Sequence, residues 1–282
     1  MRGGEAIAVG SARVRLLNDG DLVMRLKDEL NVPESVWRQG YAEIFERLQT
    51  FPSQCVLIEA DGVLTLVDVG DYAATVPADS PWLPPGYSPP PGIAEQIVAL
   101  GFSLDVVRRV VITHAHWDHF AGTTRQVEGA RVPTFAHAEY VLGRADWGNP
   151  ETQAALGDLT TLEGRTLGVL KSVGVLELVD ADRALSASVS VLCAPGESPG
   201  HQIVRVASEG AVLYCVGDLF HSVVEVEHPE WMATWAEPVA MLASRKRLIA
   251  VALDEGALLV AAHIAGVGRL EGTSDGARWV EA

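Results

Sequence analysis

Residues 113–119 read Thr-His-Ala-His-Trp-Asp-His. Three imidazoles and a carboxylate so close together suit a transition metal, and from background frequencies the pattern H-x-H-x-D-H arises by chance on the order of once in ten thousand chains of this size. If the segment starts extended, side chains two apart point the same way, so His114 and His116 can converge on one ion. A turn after them lets Asp118 and His119 address a second ion beside the first. Three further candidates lie at or beside predicted strand ends, where a sheet presents residues to a common crevice: His201 opens a β run after APGESPG, Asp218 follows VLYCVG, and His263 ends LLVAA.

The elements that must position these groups can be read from pattern. QCVLIEA and VLTLVDVG flank Asp61-Gly62 and predict a β-hairpin. Residues 34–50 carry Val36, Tyr41, Ile44 and Leu48 at helical spacing and predict an amphipathic helix. Pro77–Gly92 is a proline-dense loop with Trp82 and Tyr87, either a surface excursion or a rigid aromatic lid. GIAEQIVALGF predicts a helix and RRVVIT a buried strand that ends at the histidine cluster. Residues 137–175 are expected to be helical, with Pro150 in a first turn. SVSVLCA, HQIVRVA and AVLYCVGD predict short strands. Residues 238–253 predict a helix with Val239, Leu242, Ala243, Ile249, Ala250 and Leu253 on one face and Gly256 just past its end, and ALLVAAH a last strand. Strands with helices outside them predict a layered αβ sandwich.

Composition bounds the function. With 282 residues, 48% hydrophobic and 21% charged, the chain predicts one globular domain over 1–282, with 1–50 an extension packed on it. A net charge of −16 opposes nucleic acid. Lys27, Lys171 and Lys246 are the only lysines, which leaves few ammonium groups for anionic substrates or lipid headgroups. The longest uncharged stretch, Ser80–Ala94, is full of prolines and cannot be a membrane helix, and MRGGEAIAV lacks a secretory h-region. Cys55, Cys193 and Cys215 are odd in number and sit in strand-like runs, so they are expected to be buried thiols without a disulfide framework. These features predict a cytoplasmic protein with a small-molecule substrate and no nucleic-acid or membrane partner.

With THAHWDH, GESPGH (196–201), GD (217–218) and AAH (261–263) in this order, residues 53–265 resemble the metallo-β-lactamase superfamily of dinuclear metallohydrolases. GDLFHSVVEVEHPEW, SRKR and AAHIAGVG look most like the methyl parathion hydrolase and N-acyl homoserine lactonase group. The resemblance implies an α+β fold, an αββα four-layer sandwich with the site at one edge of its two sheets. It implies His114, His116 and His201 on one metal, Asp118, His119 and His263 on the other, and Asp218 bridging them. It also implies two divalent ions, zinc first, with manganese, iron or cobalt compatible. A metal-bridging hydroxide would attack neutral esters, lactones or phosphotriesters, with Asp118, Asp218 and His221 in the catalytic machinery, and a homodimer fits the group.

The chain also departs from the group. Glu197 stands where related lactonases often have a histidine, a position outside the ligand pattern. His221 stands where they have a tyrosine, and Ile264, Ala265 and Gly266 replace a Pro-Phe-Pro-Gly-like run. Asp68 is placed to hydrogen-bond a ligand histidine, Trp117 and Phe120 to line either a pocket or the core, and His137 and His228 are read as structural. The competing functions are a thioesterase of the glyoxalase II kind, which the shortage of lysine disfavours, and a non-catalytic metal-binding protein that keeps the fold.

Overall fold

In the computed structural model, which describes residues 6–274 and 276–282, most strands form two seven-stranded sheets, and Thr124–Val127 pairs with Ala130–Pro133 in a separate hairpin. The first contains β1 (Ile7–Val9), β2 (Ala12–Met24), β3 (Gln49–Ala60), β4 (Val63–Val67), β5 (Val107–Val111), β6 (Glu139–Gly143) and β7 (Leu176–Val179), side by side in chain order. β1 to β4 pair antiparallel, and β4 to β7 run parallel. The second contains β8 (Arg183–Ala184), β9 (Val189–Cys193), β10 (Gln202–Ser208), β11 (Ala211–Gly217), β12 (Leu258–Ala261), β13 (Gly268–Gly272) and β14 (Ala277–Glu281), again in chain order. There, β11 and β12 are the parallel pair and the other pairings are antiparallel.

Period-two alternation explains why the sheets stack and why both carry helices. On β3, Val56 and Ile58 face a core shared with Val204, Val206, Leu213 and Cys215 of the second sheet. Their neighbours Cys55 and Leu57 face the other way, into a cluster with Ile93, Ile97, Leu167 and Leu170 of the outer helices. On the second sheet, Ile203, Tyr214 and Val216 face outward onto Met241, Leu248 and Ala252 of the helix Pro238–Glu255. The result is helix, sheet, sheet, helix: an αββα sandwich. The three cysteines are free thiols, Cys55 and Cys215 buried and Cys193 half-buried. No described helix is long and apolar enough to cross a membrane.

Several expectations give way. The chain from 34 to 50 is not one helix. Glu34–Trp37 and Ala42–Glu46 are separate turns divided by Gly40 at φ +119°, and β3 begins at Gln49. Trp37 and Phe45, stacked at 5.4 Å, are buried, while Val36 and Leu48 are exposed. Residues 12–24, which carry no clean pattern, form the long β2 with an irregularity between Asn18 and Asp21. Residues 137–175 open on β6 rather than a helix, because Tyr140, Val141 and Leu142 are buried in an interior parallel strand and a short apolar run does not distinguish the two. Arg144–Trp147, Pro150–Ala155 and the continuous run Gly164–Ser172 are the helical segments that follow.

The helix Pro238–Glu255 forms as expected, with the Glu237 side chain capping Val239 N and Ala240 N and Gly256 in the left-handed region at its end. Its inward face is different: Met241, Ser244, Arg245, Leu248 and Ala252 are buried and Val239 is exposed. A fully buried arginine defines that face. Arg245 donates to Glu225 Oε1 at 2.6 Å and to Leu219 O at 2.5 Å, as well as to Trp231 O. Glu225 Oε2 in turn accepts from His221 N at 2.5 Å and Ser222 N at 2.8 Å. This pair therefore clamps the loop that carries Asp218 and His221. Burial alone would raise the Glu225 pKa, but the Arg245 guanidinium and the His221 imidazole outweigh it and bring the pKa down to about 2.

Removing one partner of a buried ion pair leaves the other uncompensated, so Arg245→Met is expected to lose about 3–5 kcal/mol in urea denaturation. Because the folded-state pKa of Glu225 is depressed, its contribution is complete above its ordinary value of 4.5 and is lost as pH falls toward about 2. Wild-type stability is expected to fall through that window, and the Arg245→Met chain to fall less.

Candidate metal centre

The candidate residues come from the ends of adjacent strands. Asp68 follows β4, β5 leads through Thr113 into His114–His119, Asp218 follows β11 and His263 lies just past β12. Asp68, held at φ +60°, is the first anchor. It accepts from Thr113 N at 2.7 Å and Thr113 Oγ1 at 2.9 Å, and from His119 Nδ1 at 2.9 Å. Thr113 Oγ1 also lies 3.1 Å from His114 Nδ1. His263 Nδ1 donates to Pro52 O at 2.8 Å. In each of His114, His119 and His263 the outer ring nitrogen is thus fixed by a hydrogen bond, and Nε2 is left to point inward, the arrangement that orients metal-binding imidazoles.

The inward nitrogens meet at one oxygen. Asp218 Oδ2 lies 3.6 Å from His114 Nε2, 3.3 Å from His119 Nε2 and 3.2 Å from His263 Nε2. Asp118 Oδ2 is 3.5 Å from His119 Nε2 and 3.4 Å from His263 Nε2. His116 Nδ1 sits 2.8 Å from His114 Nε2. Three overlapping groups of donor atoms result, the atoms of each within 4.8 Å of one another: His114, His116, Glu197 and Asp218; Asp118, His119 and His263; and Asp218, His221 and His263. Their chemistry fits divalent cations. His119 Nε2, Asp218 Oδ1 and Glu197 Oε2 are buried without a hydrogen-bond partner. Asp68, Asp118, Glu197 and Asp218 are buried, and among the described residues their ion pairs are all with histidines.

The electrostatics divide the imidazoles. Burial, reinforced by the neighbouring imidazoles His119 and His116, pushes the His114 pKa well down. Burial also opposes charge on His119, but Asp118, Asp218 and Asp68 outweigh it and raise its pKa well above the ordinary value. Asp218 is the converse: burial would raise its pKa, and His119, His263 and His114 hold it well below the carboxylate range.

Six of the seven predicted ligand residues are brought together: His114, His116, Asp118, His119, Asp218 and His263. His201 stands beside them, its ring 5.1 Å from that of His114. Its Nδ1 donates to Ala194 O at 3.0 Å and its Nε2 accepts from Asp218 N at 3.2 Å. The fit is so close that a Cβ on Gly217, at φ +53°, would come within 2.7 Å of His201 Nε2. Glu197, expected to stand outside the ligand set, occupies the centre. His221 reaches it too, with Nε2 at 3.4 Å from Asp218 Oδ2 and its ring stacked on His263 at 5.5 Å. Trp117 lines the pocket above, whereas Phe120 is core. His137 is exposed, and His228 stacks on Trp231 at 3.9 Å, away from the centre.

Two positioning residues carry no sequence signal. Asp146 accepts from Ala115 N at 2.9 Å, Ser198 Oγ at 2.8 Å and Gly200 N at 2.5 Å, tying the histidine segment to the loop that bears Glu197. Gln54 donates to Ala261 O at 2.8 Å and Ile264 O at 2.6 Å, and fixes the chain around His263.

A comparison with protein families matches the metallo-beta-lactamase superfamily over residues 48–263, and the chain belongs to it. The fold is similar to that of AbOPH, a hydrolase in the beta lactamase superfamily (TM-score 0.77, 17% identity, covering 98% of this chain and 96% of that one). It is similar also to AidC, a dizinc quorum-quenching lactonase in complex with a homoserine product (TM-score 0.72, 18% identity, 99% and 97% covered). A third such structure is a probable metal-dependent hydrolase from Staphylococcus aureus (TM-score 0.74, 19% identity, 93% and 94% covered). A search of curated proteins finds no match.

Because Asp146 acts through backbone groups, Asp146→Ala is expected to weaken metal binding about 10–100-fold while the chain stays folded, the usual cost of losing an outer hydrogen-bond partner. Equilibrium dialysis against zinc, beside thermal melting, measures both.

Proposed function

We propose that this chain is a metal-dependent hydrolase that uses two divalent cations side by side and acts on uncharged esters or lactones bearing an apolar group, phosphotriesters included. The observation that carries the reading is the convergence of three anchored imidazoles on Asp218 Oδ2, within 3.6 Å, at the floor of an apolar cavity. His114 and His116 would hold one cation, Asp118, His119 and His263 the other, and Asp218 would stand between them. Nitrogen and oxygen donors without thiolate suit zinc, and manganese, iron or cobalt are compatible. Such a pair, when bound, polarises a carbonyl or phosphoryl oxygen and lowers the pKa of water.

The cavity, of about 350 Å³, supports the substrate class. Leu22, Met24, Leu26, Leu30, Phe51 and Trp82 form its apolar wall. Most of these come from β2 and the turns after it, and Trp82 comes from the proline loop, pinned by a hydrogen bond from Val23 N to its carbonyl at 2.7 Å. The proline segment is therefore part of the pocket. Among the described residues no lysine or arginine lines the cavity, so a carboxylate-rich thioester of the glutathione kind finds no counter-charge from them. His221 lines the same cavity: burial disfavours its charge, but Glu197, Asp218 and Glu225 outweigh burial and raise its pKa. We assign it the orienting of the substrate oxygen. The free thiols fit a cytoplasmic location. The dizinc lactonase AidC, holding its homoserine product in a similar fold, favours lactones as the first substrates to try.

A panel of lactones, aryl esters, phosphotriesters and thioesters, run on protein reconstituted with zinc, manganese or cobalt, tests the reading. Activity is expected to vanish on chelation, return with metal, and rise with the length of the acyl chain. Trp82→Ala is expected to raise KM roughly tenfold for long-chain substrates at similar kcat, since about 1.4 kcal/mol of apolar contact is a factor of ten, and His221→Ala to lower kcat about 100-fold. Turnover that survives complete metal removal contradicts the reading.

A further inference from the structure

We infer that Glu29 is a specificity-determining residue: its carboxylate accepts a hydrogen bond from an N–H or O–H group on the substrate, so the cavity selects esters or lactones that carry such a donor along the apolar wall over purely apolar ones. The inference rests on the hydrolase reading above and deepens it.

Glu29 is out of place by type. It lines the cavity beside Leu26, Leu30 and Phe51, and among the described residues it is the only acidic lining group that does not belong to the metal centre. The turn Leu26–Glu29 offers solvent-facing positions for charge, and Lys27 and Asp28 occupy them. Leu26 and Glu29, three residues apart, share the inward face. The Glu29 side chain is half-buried, and among the described residues no hydrogen bond acts on its carboxylate. Burial raises its pKa and Asp28 reinforces the shift, while His221 and His263, which line the same cavity, oppose it. The carboxylate therefore lies in the field of the centre, partly stripped of water and with no protein donor to replace it, which is costly.

Its backbone is locked, so the side chain is not free to leave. Leu30 N donates to Leu26 O at 2.8 Å, Thr234 N to Glu29 O at 3.0 Å and Asn31 N to Met232 O at 2.8 Å. Leu30 also pairs with Ala233 in an antiparallel bridge. The segment that holds Glu29 is the one that brings Ala233 and Trp235 to the cavity. A held carboxylate is an acceptor already in place, and when ionised it accepts only. Among the described residues no lysine or arginine lines the cavity, so the matching donor has to come from the substrate. A substrate with only methylenes at this point would displace water from the carboxylate and return nothing, so Glu29 acts against apolar competitors as well as for donors.

A series of esters or lactones with one leaving group, differing at a single position as methylene, amide N–H, hydroxyl or ammonium, tests this on the metal-loaded protein. The wild type is expected to favour the donor members over the methylene member by about 10–100-fold in kcat/KM, chiefly through KM. Glu29→Leu is expected to reverse the order, lowering kcat/KM for the donors and raising it for the methylene member. Glu29→Gln keeps an acceptor carbonyl without the charge and is expected to retain the amide and hydroxyl preference while losing any advantage of ammonium. An ammonium advantage in the wild type identifies a cationic substrate, and its absence a neutral donor. Equal wild-type rates for donor and methylene members overturn the inference, as does a preference that survives in Glu29→Leu or a loss in Glu29→Leu that is uniform across the series. If Glu29→Leu does not fold, an ammonium or amide preference unchanged in strength between wild type and both Glu29→Gln and Glu29→Met overturns it equally. A wild type that hydrolyses no member of the series overturns the hydrolase reading with it.

Discussion

Asp68, Asp118, Glu197 and Asp218 are buried together at the junction of two sheets, and their charge partners are imidazoles rather than guanidinium or ammonium groups. Taking a carboxylate out of water costs several kcal/mol even after relaxation, and hydrogen bonds from neutral imidazoles offset only part of that. Divalent charge at the centre is the natural complement. Much of the surrounding structure can be understood as holding these anions close together.

Each carboxylate is fixed by a different part of the fold. Asp68 follows β4 in a left-handed conformation and binds the Thr113 backbone. Asp218 follows β11 on a backbone that donates to His201. Its loop is clamped from below by the buried Glu225–Arg245 pair, which ties the turn Val224–Glu227 to the outer helix of the second sheet. Asp146 links the histidine segment of the first sheet to the Glu197 loop of the second. The layers thus contribute to one centre through strand ends and single polar contacts, and the substrate wall is supplied separately by β2, the turns after it and the proline loop. Chemistry and specificity are carried by different segments, so the pocket can vary without disturbing the donors.

Legibility from sequence followed the same division. The 113–119 cluster, the Asp61-Gly62 hairpin, the capped helix at 238–255 and the strands that deliver Asp218 and His263 all carry local signals: dense donors, turn chemistry, N- and C-caps, apolar runs. β2 was illegible because its alternation is broken at Asn18–Asp21, and β6 because EYVLG reads equally as helix or buried strand. The inward face of the 238–255 helix was misplaced because its centre is Arg245, a residue that apolar periodicity assigns to solvent. The inward place of Glu197 was not legible, because the turn at Gly196 that faces it toward His116 is set by backbone geometry and by the hydrogen bonds of Asp146. Asp146 gave no signal at all, since a buried capping carboxylate looks like any other aspartate.

The account stands most directly on where electron-rich ions sit in this chain. Anomalous diffraction collected above and below the zinc edge, on crystals of the zinc-loaded protein, is expected to show two peaks: one beside His114, His116 and Asp218, the other beside Asp118, His119, Asp218 and His263. No peak at this junction would contradict it.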